Sequence, residues 1–294
     1  MPANSSRALE CWRTTVMPND FNLKIIEEFR ARGGRVGGPF EGGRLLLLTT
    51  TGARTGARHT TPVGYLPDGD GRTLVIASAG GSPRHPDWFH NVVANPRVTV
   101  EDGVFTYEAD AVVLEGPERD RVFARAVEFE PGWGEYQAGT TRVIPVVALE
   151  AVAGGPPLAG SLGETLRRTH DAFRRELELI RGEVAATGPR IGAQLRVNCL
   201  TLCQGLRNHH AGEDGALFPL VRDRHPESAS ALARLDQEHR RLAALLAELQ
   251  AVVSGEHADR ERTSSEVDRL AEELKAHLAY EEEQLLPVLD AVTA

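Results

Sequence analysis

Four long amphipathic segments run back to back through the second half of this 294-residue chain, and each carries a histidine where its apolar stripe demands a hydrophobic residue. The segments span roughly 162–186, 189–222, 227–253 and 262–291, with breaks at Gly188-Pro189, His225-Pro226 and Ser254-Gly255. Glycine and proline end a helix by raising its backbone entropy cost or removing a donor, so these are stops rather than kinks. Four helices of this length on such short connections predict an up-down-up-down bundle. In the first, Leu162, Leu166, Phe173, Leu177 and Ile180 mark the inward stripe, and His170 falls within it. His209 and Glu213 interrupt Leu195, Leu202, Leu206 and Leu220 in the second, and His239 sits among Leu232, Leu235, Leu242 and Leu246 in the third. The fourth runs Leu270, Leu274, His277, Glu281, Leu285, Val288.

A spacing of four puts His209 with Glu213, and His277 with Glu281, on one helix face within reach of a common ion. Imidazoles and carboxylates are costly to bury unless paired or metal-bound, so four such positions converging on one core demand a partner. The pattern repeats internally: His209-x3-Glu213-x5-Pro219 matches His277-x3-Glu281-x5-Pro287. Nitrogen and carboxylate donors suit iron or manganese better than structural zinc, which favours thiolates. Over about residues 160–292 these features resemble the hemerythrin-like, histidine-rich (HHE) cation-binding domain. The resemblance implies a non-haem di-iron centre, with His170, His209, His239 and His277 as terminal ligands and Glu213 and Glu281 bridging. Such a centre meets oxygen, peroxide or nitric oxide. Oxygen-carrying hemerythrins have a second histidine one turn along the third helix. Here that position is Ala243, leaving four histidines for two metals. His210, turned about 100° from His209, is expected outside the ligand set. Cys199 and Cys203 read as core thiols.

The first half is built differently. Glycine, proline and β-branched residues crowd it, and the small-residue stretch Ala151-Val-Ala-Gly-Gly-Pro-Pro-Leu-Ala-Gly-Ser161 separates it from the helices. This predicts an extension at 1–17, a first domain at 18–152, a linker at 153–161 and a second domain at 162–292. Strand-like runs occur at Arg44–Thr50, Thr60–Leu66, Thr73–Ala79, Arg97–Glu101, Val104–Leu114 and Val143–Glu150. Helical patterns occupy Phe21–Arg32, His85–Ala94 and Glu118–Phe129. Six strands on short turns suggest an antiparallel barrel with helices packed on it, making the whole chain α+β in two domains.

Three segments of this half carry chemistry. Thr49-Thr-Thr-Gly-Ala-Arg-Thr-Gly-Ala-Arg58 follows the apolar run, and its glycines, hydroxyls and two arginines form a phosphate cradle or a hairpin turn with solvated arginines. Ala77-Ser-Ala-Gly-Gly-Ser-Pro-Arg-His-Pro-Asp-Trp-Phe-His-Asn91 leaves a strand, turns through two glycines and enters a helix behind Pro86. Glycine there admits a flat ring close to the backbone, and a helix start offers free amides. Trp133-Gly-Glu-Tyr-Gln-Ala-Gly-Thr-Thr-Arg142 precedes the last strand. With the GGRVGG segment at 33–38, these resemble the deazaflavin-dependent nitroreductase family, a split β-barrel fold, across about 18–152. The resemblance implies binding of coenzyme F420, an anionic 8-hydroxy-5-deazaflavin. Arg54, Thr55, Gly56 and Arg58 would hold its phosphate, and Ser78, Ala79, Gly80 and Gly81 would face its ring. His85, Pro86, Trp88 and Asn91 fall on the ring-side helix. Tyr136 and Ser78 match the family's substrate-binding and protonating residues, whereas Trp133 and Glu130 stand where some members have tyrosine. Related split barrels hold FMN, which the same arginines fit equally.

Basic residues number 33 against 42 acidic ones, a net charge of −9, opposite in sign to a nucleic-acid binder. Three cysteines are odd in number and suit a reducing cytosol. The longest aliphatic run, Leu45–Leu48, is far short of a membrane span, and the first residues lack a secretory core, so the expected location is cytoplasmic. The amphipathic reach Phe21–Phe29 leaves weak peripheral membrane contact open. The leading reading is a deazaflavin-dependent oxidoreductase that passes a hydride to a quinone-like or nitro acceptor, fused to a di-iron bundle. The alternative is an iron-binding or gas sensor whose barrel holds a cofactor without turnover.

Overall fold

The computed structural model describes residues 18–69, 71–152, 161–255 and 258–290; the expected extension at 1–17 and most of the linker lie outside them. Leu45 to Leu48 open β1 (Leu45–Thr51), and all four leucines are buried because both faces of the strand are covered. Alternation sends Leu46 and Leu48 into the barrel with Val75, Val98, Val100, Val147 and Leu149. Leu45 and Leu47 point outward onto Ile25, Ile26 and Phe29 of α1 (Pro18–Ala31). The apolar face of the one helix considered for membrane contact is therefore spent on the barrel. Among the described residues, no helix is long and apolar enough to cross a membrane.

β2 (Arg58–Pro67), β3 (Thr73–Ile76), β4 (Arg97–Glu101), β5 (Thr106–Leu114) and β6 (Val146–Ala151) complete a closed antiparallel barrel in the order β1-β2-β3-β6-β5-β4. β1 pairs on both sides, Leu47 facing Pro62 of β2 and Glu101 of β4. Closure removes every sheet edge. α2 (Asp87–Ala94) seats Trp88 and Val92 against the barrel's inner residues. α3 (Gly116–Phe129) lays Val122, Phe123 and Ala126 over Leu74, Ile76, Val146 and Ala148. Buried Asp68 accepts from Arg72 at 2.5 Å and Arg125 at 2.6 Å, pinning the β2–β3 turn to α3. A short helix missed by periodicity, α4 (Gly132–Ala138), precedes β6, because Gly-Trp-Gly-Glu-Tyr-Gln-Ala has too few apolar residues to show a period.

The second compact unit contains α5 (Leu162–Ala186), α6 (Ala193–Gly212), a π-helical turn (Glu213–Leu217), α7 (Phe218–Arg224), α8 (Ala229–Ser254) and α9 (Arg260–Leu289). Ser161 and Asp259 cap α5 and α9 by accepting from Glu164 N and Arg262 N. Cross-helix pairs run in opposite order, Arg167–Asp290, His170–Glu282 and Arg181–Asp268, so α5 and α9 are antiparallel. α8 and α9 are likewise, through Glu238–His277, Arg241–Glu273 and Glu248–Arg269. The second helix begins four residues later than 189, since Pro189 O and Ile191 N are hydrogen-bonded to Arg260 N and Ala258 O. Cys199 and Cys203 are buried thiols, and burial pushes Cys203 up to about 11.

Candidate metal centre and cofactor-facing loops

Each of the four long bundle helices delivers at least one imidazole to the bundle interior, and Glu213 and Glu281 join them. His170 and Glu281 are fully buried, His277, His239 and Glu213 nearly so. Glu213 approaches His209 Nε2 at 3.2 Å through one oxygen and His239 Nε2 at 3.6 Å through the other. Glu281 Oε2 lies 3.4 Å from His170 Nε2 and 3.5 Å from His277 Nε2. Two groups form, His170, His209, Glu213 and Glu281 in one and His210, His239 and His277 in the other, with ligand atoms within 4.8 Å of one another in each. Each carboxylate touches a member of both groups, the disposition a bridging ligand needs.

His210 departs from the expectation. Its ring stacks on His239 at 4.3 Å between centroids, and Phe218 stacks on His239 at 5.2 Å. Two neighbours 100° apart flank the centre line of a helix aimed at the bundle axis, so both reach a site lying between four helices. Glu213 opens the π-helical turn that follows them. Ala243, by contrast, is exposed and faces away from the interior. Among the described residues, five imidazoles gather there, the fifth coming from α6.

Whether these residues fit a metal pair is decided by their unpaired atoms. Nε2 of His170, His209, His210, His239 and His277, and all four oxygens of Glu213 and Glu281, are buried without a hydrogen-bond partner. Leaving so many polar atoms unmet costs far more than a native core tolerates, unless cations meet them. Burial holds the imidazoles of His209 and His210 down at about 3 and 2, hence neutral and ligand-competent at pH 7. Burial, with Glu281 beside it, raises Glu213 well above the usual carboxylate range. Three outer nitrogens are taken by carboxylates: His170 Nδ1 by Glu282 at 2.9 Å, His239 Nδ1 by Asp214 at 2.8 Å and His277 Nδ1 by Glu238 at 3.0 Å. These contacts fix Nε2 as the inward nitrogen and increase its basicity. The three carboxylates escaped sequence reasoning, although each adjoins a proposed ligand in the chain and acidic neighbours of ligands were the available signal.

In the barrel, Thr49–Arg58 closes the β1–β2 turn through Gly52 N to Ala57 O at 2.7 Å and Gly56 N to Gly52 O at 2.9 Å. A Cβ on Gly52 would meet Thr55 Oγ1 at 2.7 Å, so the turn needs glycine there. Arg54, Thr55, Gly56 and Arg58 are exposed, and Arg58 reaches Thr99 Oγ1. After β3, Ala79, Gly80 and Gly81 adopt φ of 48°, 60° and 79°, three left-handed residues in a row. Ala79 and Gly80 are exposed and Ser78 is buried. With nothing larger than a methyl on its exposed residues, this turn presents bare backbone, which fits a planar ring. Gly81 packs against α4, where a Cβ would lie 3.1 Å from Tyr136 O. Tyr136 is half-buried, its ring 6.0 Å from that of Trp133. His85, half-buried beside Phe89, and Pro86 lead into α2.

Two expected ring-side residues turn inward instead. Trp88 is buried among the barrel's core residues. Asn91 donates to Thr50 Oγ1 at 3.0 Å and accepts from Ala53 N at 3.0 Å, tying the anion loop to α2. One face of an α-helix carries both, and that face is the one the barrel covers. Asn91→Ala removes the acceptor of the Ala53 amide and a donor to the Thr50 hydroxyl, which keeps its bond to His59 O, at about 1–3 kcal/mol. Denaturant unfolding is expected to show that loss, together with weaker cofactor retention.

Family models match both halves of the chain: an F420H2-dependent quinone reductase model covers residues 24–151, and a hemerythrin HHE cation-binding model covers 161–289. F420H2-dependent quinone reductases from two strains of Mycobacterium tuberculosis are 40% identical over 125 residues, 41% of this chain and 83% of theirs. A solved F420-H2 dependent reductase, FDR-A, aligns over 36% of this chain and 94% of its own at 42% identity and a TM-score of 0.34.

Proposed function

Because the chain belongs to the F420H2-dependent quinone reductase family and carries a hemerythrin-like domain behind that barrel, we propose that it is a two-domain redox protein. The first domain is a deazaflavin-dependent oxidoreductase acting on a quinone, and the second holds two non-haem iron ions. Quinone is preferred to a nitro compound because it asks for a single hydride and proton, whereas nitro reduction needs further steps from the pocket.

The reduced deazaflavin, when bound, supplies the hydride. The protein's part is orientation. Exposed Arg54 and Arg58 on the Thr49–Arg58 turn receive the anionic group, the Ala79–Gly81 backbone receives the ring, and Asn91 holds the turn to α2. Tyr136, at the end of α4 against Gly81, has the phenol suited to steady the acceptor oxygen and to pass it a proton from Oη. Ser78 is buried at the foot of the same turn.

In the bundle, His170 and His209 would hold one ion and His210, His239 and His277 the other, with Glu213 and Glu281 shared. Iron there would supply one-electron chemistry toward oxygen, peroxide or nitric oxide. The observation that carries this reading is the set of buried, unpaired Nε2 and carboxylate atoms. Iron(II) titrated into the metal-free chain is expected to bind at two equivalents. Glu213 holds its proton into the neutral range, so ion uptake must expel it. Affinity therefore rises between pH 6 and pH 8, by about tenfold per unit for one expelled proton. One equivalent, or affinity flat with pH, would count against this assignment.

A further inference from the structure

One side chain joins the loop after β3 to the segment before β6. Arg142 Nε donates to Ser82 O at 2.9 Å, and Nη2 donates to Ser78 O at 2.5 Å and Ala77 O at 3.1 Å. Nη1 meets His85 Nδ1 at 3.1 Å. These acceptors bracket the left-handed run Ala79–Gly81 on both sides. A planar fork of donors thus meets three carbonyls that flank the run, from Ala77 and Ser78 before it and Ser82 after it, and ties its two ends together.

Arg142 is itself held. Its carbonyl accepts from Gln137 Nε2 at 2.7 Å, and Gln137 Oε1 accepts from Ile144 N at 2.9 Å and Arg119 Nη2 at 3.3 Å. Arg119, on α3 with its guanidinium 4.1 Å from the Phe123 ring centroid, donates twice to Ile144 O. The line of contacts therefore runs from α3 through residues 137–144 to the 77–85 loop. A guanidinium has donors only, so His85 Nδ1 is an acceptor and the ring proton sits on Nε2.

We propose that Arg142 is a positioning residue for the deazaflavin site: it holds the left-handed run Ala79–Gly81 through the carbonyls on either side of it and fixes His85 as a neutral ring protonated on Nε2. This rests on the deazaflavin reading of the barrel. Burial lowers the proton affinity of His85, and the charged or titratable groups facing it, Arg142 and His90, lower it further.

The test uses the full chain with Arg142→Lys and Arg142→Gln, read by imidazole nitrogen NMR, thermal unfolding and fluorescence titration with oxidised deazaflavin. Lysine keeps the charge but loses the fork. Both variants are expected to unfold cooperatively, to bind the deazaflavin at least tenfold more weakly, and to show His85 as a tautomer mixture. An Arg142→Lys chain with affinity within twofold of wild type overturns the positioning role alone. A wild-type His85 protonated on Nδ1 overturns it without any variant. A wild-type chain that does not bind the deazaflavin overturns the reading of the barrel and this role with it.

Discussion

Replacing His210 by alanine is expected to leave the bundle with one bound iron per chain in place of two. The substitution breaks the group of His210, His239 and His277 but leaves His170, His209, Glu213 and Glu281 whole. Losing an outer partner of a metal-bound histidine typically costs about 10–100-fold in affinity, so losing the nitrogen donor itself costs more. The metal-free chain is expected to unfold within about 1–2 kcal/mol of wild type, because lost packing is offset by removing an unpaired buried nitrogen. Elemental analysis after loading and dialysis separates the outcomes. Two irons retained would return His210 to the periphery and leave the second ion with His239 and His277.

The second large effect belongs to the barrel. With a net charge of −9, the protein's overall field repels an anionic cofactor, so local basic residues have to overcome it. Arg54 and Arg58 are the exposed cations of the Thr49–Arg58 turn. A charge-assisted hydrogen bond to phosphate contributes about 1.5–3 kcal/mol, and each 1.4 kcal/mol is tenfold in affinity. Arg54→Ala with Arg58→Ala is therefore expected to weaken deazaflavin binding by about 10²–10⁴-fold, with the unfolding midpoint nearly unchanged. Fluorescence titration and thermal unfolding check the two halves of that statement.

Much of the architecture was legible because strong hydrophobic patterns left little choice. Leu45–Leu48 is apolar at every position, and β1 proves to be covered on both faces. The first bundle helix, marked by Leu162 at one end and Gly188-Pro189 beyond the other, spans Leu162–Ala186 as its stripe predicted. What stayed hidden depends on tertiary direction. An ideal helix puts neighbours 100° apart, which argued His210 out of the interior, yet the bundle axis lies between His209 and His210. Trp88 and Asn91 share the face of α2 that the barrel covers, and only the docked helix reveals it. Asp214, Glu238 and Glu282 show their role only in the fold, where a histidine from another element lies within 3.0 Å of each. Arg142 was visible beside Tyr136 in the chain, but its four partners lie 57 to 65 residues away.

The most direct test of the account is anaerobic mixing of the purified chain with reduced deazaflavin and a soluble quinone, following cofactor oxidation. The account predicts oxidation that requires quinone, saturates with it, and is lost in the Arg54→Ala, Arg58→Ala chain. No quinone-dependent oxidation by a chain that binds the deazaflavin would contradict it, and would favour a cofactor-holding barrel without turnover.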